Sequence, residues 1–133
     1  IFFAELVDYY NKQILEEQLK TANDTEKLPH IREAITYIND NYASKIKINE
    51  LADHVGVNRS YLASSFKRAT GYSPKEYLIC LRMEKAKSLL EKTDLQINAI
   101  ANSVGYTDQL AFSRMFKEYT GVSPKTFREN KKI

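Results

Sequence analysis

The chain has 133 residues, 43% of them apolar and 28% charged, with a net charge of +3. That composition is globular and sized for one or two small domains, and the single cysteine, Cys80, excludes a framework of intrachain disulfides. No apolar run approaches the roughly 18 residues of a membrane span, and the start IFFAELVDYY has neither a basic n-region nor a small-residue cleavage site, so no membrane partner and a cytoplasmic location are expected.

The charge is uneven. Residues 1–28 hold three Lys/Arg against six Asp/Glu, net −3, whereas the remainder holds seventeen against eleven, net +6. A basic portion points toward a polyanion, although an ordinary soluble surface also reaches that value. The chain begins at Ile1 rather than Met, as expected of a piece of a longer protein.

In chain order, Phe3, Val7, Tyr10 and Ile14 alternate spacings of four and three, which predicts a helix from Ile1 to about Thr21. Such a helix either pairs two subunits through residues 1–20 or packs on a neighbouring domain. The polar stretch TANDTEKLP follows as a linker. Residues 1–28 are therefore expected to form a linker with a dimerisation helix, and 29–133 a domain.

Ile31, Ile35, Ile38 and Tyr42 form the next apolar stripe, predicting a helix from Pro29 to about Asn41, and NYASKIKI is a loop. Leu51, Ala52 and Val55 lie on one face of a short helix that stops at Gly56. Asn58 then caps a helix from about Arg59 to Thr70, which stops at Gly71. Ser73-Pro74, an N-cap followed by a proline at the first helical position, opens the longest helix, reaching about Lys92 and carrying Tyr77, Leu78, Leu81, Ala86, Leu89 and Leu90. The cycle repeats: a short helix from about Ile97 to Val104, Gly105, a cap at Thr107, a helix from about Asp108 to Thr120, Gly121, and a last helix opened by Ser123-Pro124.

The repetition is explicit in the letters. GVNRSYLASSFKRATGYSPKEYL (56–78) aligns with GYTDQLAFSRMFKEYTGVSPKTFR (105–128), with Leu62 on Phe112, Phe66 on Phe116, Thr70-Gly71 on Thr120-Gly121 and Ser73-Pro74-Lys75 on Ser123-Pro124-Lys125 at an offset of 50. Upstream, Leu51, Ala52, Val55 and Gly56 match Ile100, Ala101, Val104 and Gly105 at an offset of 49, so one residue slips in the turn or at the start of the second helix. Nothing alternates with period two. The expected fold is all-α: two duplicated units, 29–72 and 93–133, joined by a connecting helix over 73–92, plus the extra N-terminal helix.

A short helix, a glycine-containing turn and a second helix make a helix-turn-helix. At 100° per residue, Leu62, Phe66 and Ala69 define the buried side of the first unit's second helix, and Ser60, Ser64 and Lys67 lie opposite. In the second unit Phe112, Phe116 and Tyr119 are buried, and Leu110, Arg114 and Lys117 lie opposite, flanked by Ser113. Ser, Arg and Lys opposite a core suit a major groove, with arginine pairing to guanine and lysine meeting phosphate. A connecting helix of about 18 residues is about 27 Å long, close to the roughly 34 Å between successive major grooves on one face of B-form DNA.

These residues resemble the DNA-binding domain of the AraC/XylS family of bacterial transcription regulators. The run Gly105-Tyr106, Asp108, Phe112-Ser113-Arg114, Phe116-Lys117, Tyr119, Gly121, Ser123-Pro124 and Phe127-Arg128 is similar to the family signature, and 81–87, LRMEKAK, to its connecting helix. The resemblance covers about Pro29 to Lys131. It implies seven helices, two helix-turn-helix subdomains, binding of one double-stranded promoter half-site and contact with RNA polymerase, most often as an activator. It also implies a small-molecule effector, frequently a sugar, acting through a separate N-terminal regulatory domain.

Carried over by position, base reading falls on Ser60, Ala63 and Ser64 in the first unit and on Gln109, Leu110, Ser113 and Arg114 in the second. Phosphate contact falls on Arg59, Lys67, Lys75, Lys117 and Lys125. Family members often cap the first helix of each unit with Ser or Thr where Lys47 and Gln96 stand here, so both starts are expected to be weaker. Ala111 stands where Tyr is common, and Leu110 where Ser is; Leu110 either touches a thymine methyl or is simply exposed.

No enzyme is expected, since the chain has neither a phosphate-binding glycine loop nor a nucleophile elbow. His30 and His54 lack partners at ligand spacing, so no metal or other cofactor is expected. Cys80 is read as core, and Arg82 as structural rather than phosphate-facing. A second reading, of a different class, is a helical protein-interaction or dimerisation module without specific DNA binding.

Overall fold

A computed structural model of the protein describes residues 28–131. These residues form seven helices and no strand: α1 (Leu28–Asn41), α2 (Ile48–Val55), α3 (Arg59–Thr70), α4 (Pro74–Lys92), α5 (Ile97–Ser103), α6 (Gln109–Thr120) and α7 (Pro124–Lys131). The helix expected over Ile1–Thr21 and the linker after it lie outside the described residues. By packing, the described chain divides into one unit of residues 28–40 and 46–77 and another of 41–45 and 78–131. The linear boundaries drawn from the sequence treat 73–92 as a connector, whereas α4 lends its first turn to one unit and the rest of its length to the other.

In the first unit Ile31, Ala34, Ile35 and Ile38 form the buried stripe of α1, and Leu51, Ala52, Val55, Leu62, Phe66 and Tyr77 complete the core. Tyr42 does not extend the α1 stripe as its spacing predicts. It lies past the helix end and packs on the core of the second unit, which consists of Met83, Ala86, Leu90, Ile100, Ala101, Val104, Phe112 and Phe116.

The repeat is reproduced in three dimensions. The Phe66 and Tyr77 rings meet edge to face at 5.5 Å and 87°, and their counterparts Phe116 and Phe127 at 5.4 Å and 80°. The Thr70 hydroxyl lies 2.9 Å from the carbonyls of Phe66 and Tyr72, and the Thr120 hydroxyl 2.8 and 2.9 Å from those of Phe116 and Val122. Ser73 and Ser123 each accept the N–H three residues on, both at 3.1 Å, capping α4 and α7 in front of their prolines. Neither Lys47 nor Gln96 makes a side-chain cap bond at the start of α2 or α5.

The one-residue slip is located by the hydrogen bonds. Val57 N–H to Ala52 carbonyl (3.1 Å) corresponds to Tyr106 N–H to Ala101 carbonyl (2.9 Å), still at an offset of 49. Leu62 N–H to Asn58 carbonyl (3.0 Å) corresponds to Phe112 N–H to Asp108 carbonyl (3.1 Å), already at 50. The extra residue is therefore Thr107, inside the second turn. This corrects the predicted cap: Asp108, the partner of Asn58 at an offset of 50, caps α6 instead, its carboxylate accepting the Leu110 N–H at 2.9 Å.

Two arginines tie down the second unit. Arg82 donates to the carbonyls of Tyr42 and Ser44, both at 2.8 Å, which bears out its structural reading. Its guanidinium also lies 5.5 Å from the centre of the Tyr106 ring. Burial raises the Tyr106 phenol above its ordinary 10.0, with the charge of Arg82 and a hydrogen bond to it pulling the other way. Arg128 donates to the carbonyls of Leu90, Thr93 and Leu95 at 3.3, 3.1 and 2.7 Å. It thus supplies donors to one of the last carbonyls of α4, that of Leu90, and to two carbonyls of the loop that follows.

Candidate nucleic-acid interface

The two helices expected to read DNA, α3 and α6, are built alike. Each has twelve residues, a short polar N-cap and a left-handed glycine at its end, Gly71 at φ 83° and Gly121 at φ 88°. Asn58 caps α3 by accepting the Tyr61 N–H at 2.8 Å. Leu62 and Phe66 hold α3 inward, Phe112 and Phe116 hold α6, and all four are fully buried. The opposite faces are therefore turned outward by packing rather than by polarity alone.

Of the residues expected to read bases, Ser60 and Ser64 on α3 and Gln109, Leu110 and Arg114 on α6 are exposed, whereas Ala63 and Ser113 are half-buried. Ala63 and Ser113 occupy equivalent flanking positions at an offset of 50. The Ser64 hydroxyl lies 3.3 Å from the carbonyl of Tyr61, so part of its hydrogen-bonding capacity stays within the helix. Arg114 makes no hydrogen bond or ion pair among the described residues. All five residues expected to meet phosphate, Arg59, Lys67, Lys75, Lys117 and Lys125, are exposed.

Two expectations for the inward faces change. Ala69 is exposed, and Thr70 is buried in its place, because the Thr70 hydroxyl is held against the last turn of α3. Its counterpart Tyr119 is half-buried rather than buried, and its phenol donates to Glu84 at 2.8 Å; Glu84 also pairs with Lys87 at 3.1 Å. Chain length explains the difference, since a phenol spans a gap that a methyl group leaves open. Cys80, expected in the core, is half-buried.

Sequence reasoning missed Tyr61. It is 38% exposed in the first turn of α3, its ring meeting His30 edge to face at 6.2 Å. Its counterpart at an offset of 50 is Ala111, and at 100° per residue it lies on the flank of α3, about 100° from Leu62. The other histidine, His54, packs on Tyr37 at 4.5 Å, so both rings have aromatic neighbours.

A family model described as a helix-turn-helix domain matches residues 51–130. The chain is 37% identical over 126 residues to the Msm operon regulatory protein of Streptococcus mutans, covering 95% of this chain and 44% of that protein. It is 39% identical over 100 residues to the lactose operon transcription activator of Staphylococcus xylosus, covering 75% and 36%. The chain thus spans less than half the length of these relatives. Among solved structures, the C-terminal domain of AraT, a response regulator from Geobacillus stearothermophilus, superposes with a TM-score of 0.76 at 36% identity, covering 80% of this chain and 88% of that one. The duplicated helix-turn-helix, its outward faces and these similarities together show that the chain belongs to the AraC/XylS family of transcription regulators.

Proposed function

We propose that this segment binds double-stranded promoter DNA by presenting α3 and α6 to major grooves, and so regulates transcription. The observation that carries the reading is the pair of outward faces: two helices held by equivalent cores, each exposing a basic residue at the same position, Lys67 and Lys117. Insertion into successive grooves belongs to the same proposal and rests on the length of sequence between the two turns. Arg59, Lys67, Lys75, Lys117 and Lys125 meet phosphates, and Ser60, Ala63, Ser64, Gln109, Leu110, Ser113 and Arg114 lie against base edges. Activation through RNA polymerase is the sign of regulation we favour, supported by the similarity to the lactose operon transcription activator. Pairing through residues 1–20, a cytoplasmic location and control by a small-molecule effector bound to a separate domain complete the proposal. No helix among the described residues is long and apolar enough to cross a membrane.

The test is duplex binding by fluorescence anisotropy at two salt concentrations. Absence of binding at low salt would leave a helical interaction module as the better reading. Within a positive result, Lys67→Ala weakens all sequences alike and flattens the slope of log K against log salt by about one unit, as expected for one lost phosphate contact. Arg114→Ala costs about 1–3 kcal/mol on the preferred site and relaxes the preference at one base position, read by binding-site selection. The first unit offers only Ser64 at the equivalent place, so the second carries more of the discrimination.

A further inference from the structure

Leu110 is the most exposed of the large apolar side chains in the described chain, at 58%. It stands in the first turn of α6, and the core of the second unit is complete without it. The Asp108 carboxylate accepts the Leu110 N–H at 2.9 Å and so fixes the helix start on which the side chain stands. A capping carboxylate also makes this end of the helix a poor phosphate site, because it supplies the negative charge that the helix dipole would otherwise draw from DNA. In a major groove the apolar group within reach of such a side chain is the C5-methyl of thymine. At the equivalent place in the first unit stands Ser60, exposed and polar.

We infer that Leu110 is a specificity residue that selects thymine through its methyl group, next to the base read by Arg114. The inference rests on the proposed DNA-reading role of α6. Leu110 and Arg114 are four residues apart, so their Cβ atoms lie about 5–6 Å apart on one face. Base pairs rise about 3.4 Å. The thymine therefore lies within two base pairs of the arginine-read position.

The experiment uses the 133-residue chain. Binding-site selection defines the preferred duplex, and each thymine in it is then replaced singly by deoxyuridine, which removes only the methyl. Wild type loses about fourfold in affinity at one thymine, the effect of one buried methyl. Leu110→Ala is insensitive to that replacement and binds the thymine and deoxyuridine duplexes equally. The sensitive position lies within two base pairs of the one whose preference disappears in Arg114→Ala. If Arg114→Ala relaxes a base position but no deoxyuridine distinguishes wild type from Leu110→Ala, or no thymine is selected nearby, the inference is overturned while the reading of α6 stands. If Arg114→Ala also leaves the selected sequence unchanged, both fall. An unaltered melting temperature for Leu110→Ala, expected of an exposed side chain, separates these outcomes from misfolding.

Discussion

Phe116→Ala is expected to lower the stability of the protein by about 3–5 kcal/mol, the range for removing a large aromatic ring from a packed core. Phe116 is fully buried and lies 5.8 Å from Phe112 and 5.4 Å from Phe127, centre to centre. Its loss opens a cavity between α6 and α7 and removes two ring contacts at once. A fully buried aromatic cannot be replaced by water, so the cavity stays empty or the helices collapse into it. The function follows the packing, because the orientation of Arg114 and Lys117 depends on the inward anchor of the same helix. Urea unfolding followed by tyrosine fluorescence measures the loss. A decrease below about 1 kcal/mol, the ordinary cost of a single substitution, would contradict this account of the core.

Gly105→Ala is expected to cost about 2–4 kcal/mol, and for two separable reasons. Gly105 has φ 99°, in the region that L side chains rarely adopt, and a Cβ there would lie 2.9 Å from the Tyr42 carbonyl oxygen and 3.0 Å from Arg82 Nε. These are the atoms of the Arg82 hydrogen bond that holds residues 42–44. The methyl group therefore either breaks that bond or pushes the turn between α5 and α6 away from it. Gly71→Ala is the control: φ is 83°, but nothing lies within 4 Å of the added carbon, so only the backbone strain of about 1–2 kcal/mol remains. Equal losses for the two variants, compared by thermal unfolding, would show that the contact with Tyr42 and Arg82 has no energetic weight.

Much of this architecture is legible in the letters because the signals are local. Glycine marks each left-handed helix end, Ser-Pro opens α4 and α7, and apolar residues three and four apart define which side of a helix faces inward. Duplication doubled every signal, so the second copy checked the first. Where the reading failed, either a local hydrogen bond or packing at longer range decided the outcome. The extra residue in the second turn moved the cap from Thr107 to Asp108, a choice between two competent caps that spacing alone did not make. Ala69 and Tyr119 share a position on the wheel, yet one is exposed and the other reaches Glu84.

The sequence by itself determined the number and order of the helices in the described region, to within a residue those helix ends that it placed, and the outward strip carrying Ser60, Ser64, Lys67, Leu110, Arg114 and Lys117. These follow from propensity, capping and periodicity, which act over a few residues. Tertiary structure alone decided that Tyr42 serves the second unit's core, that Arg82 and Arg128 donate to distant carbonyls, and that Gly105 has no room for a side chain. The arginine hydrogen bonds join residues 33 to 40 positions apart, and no local pattern encodes which carbonyl a guanidinium will find.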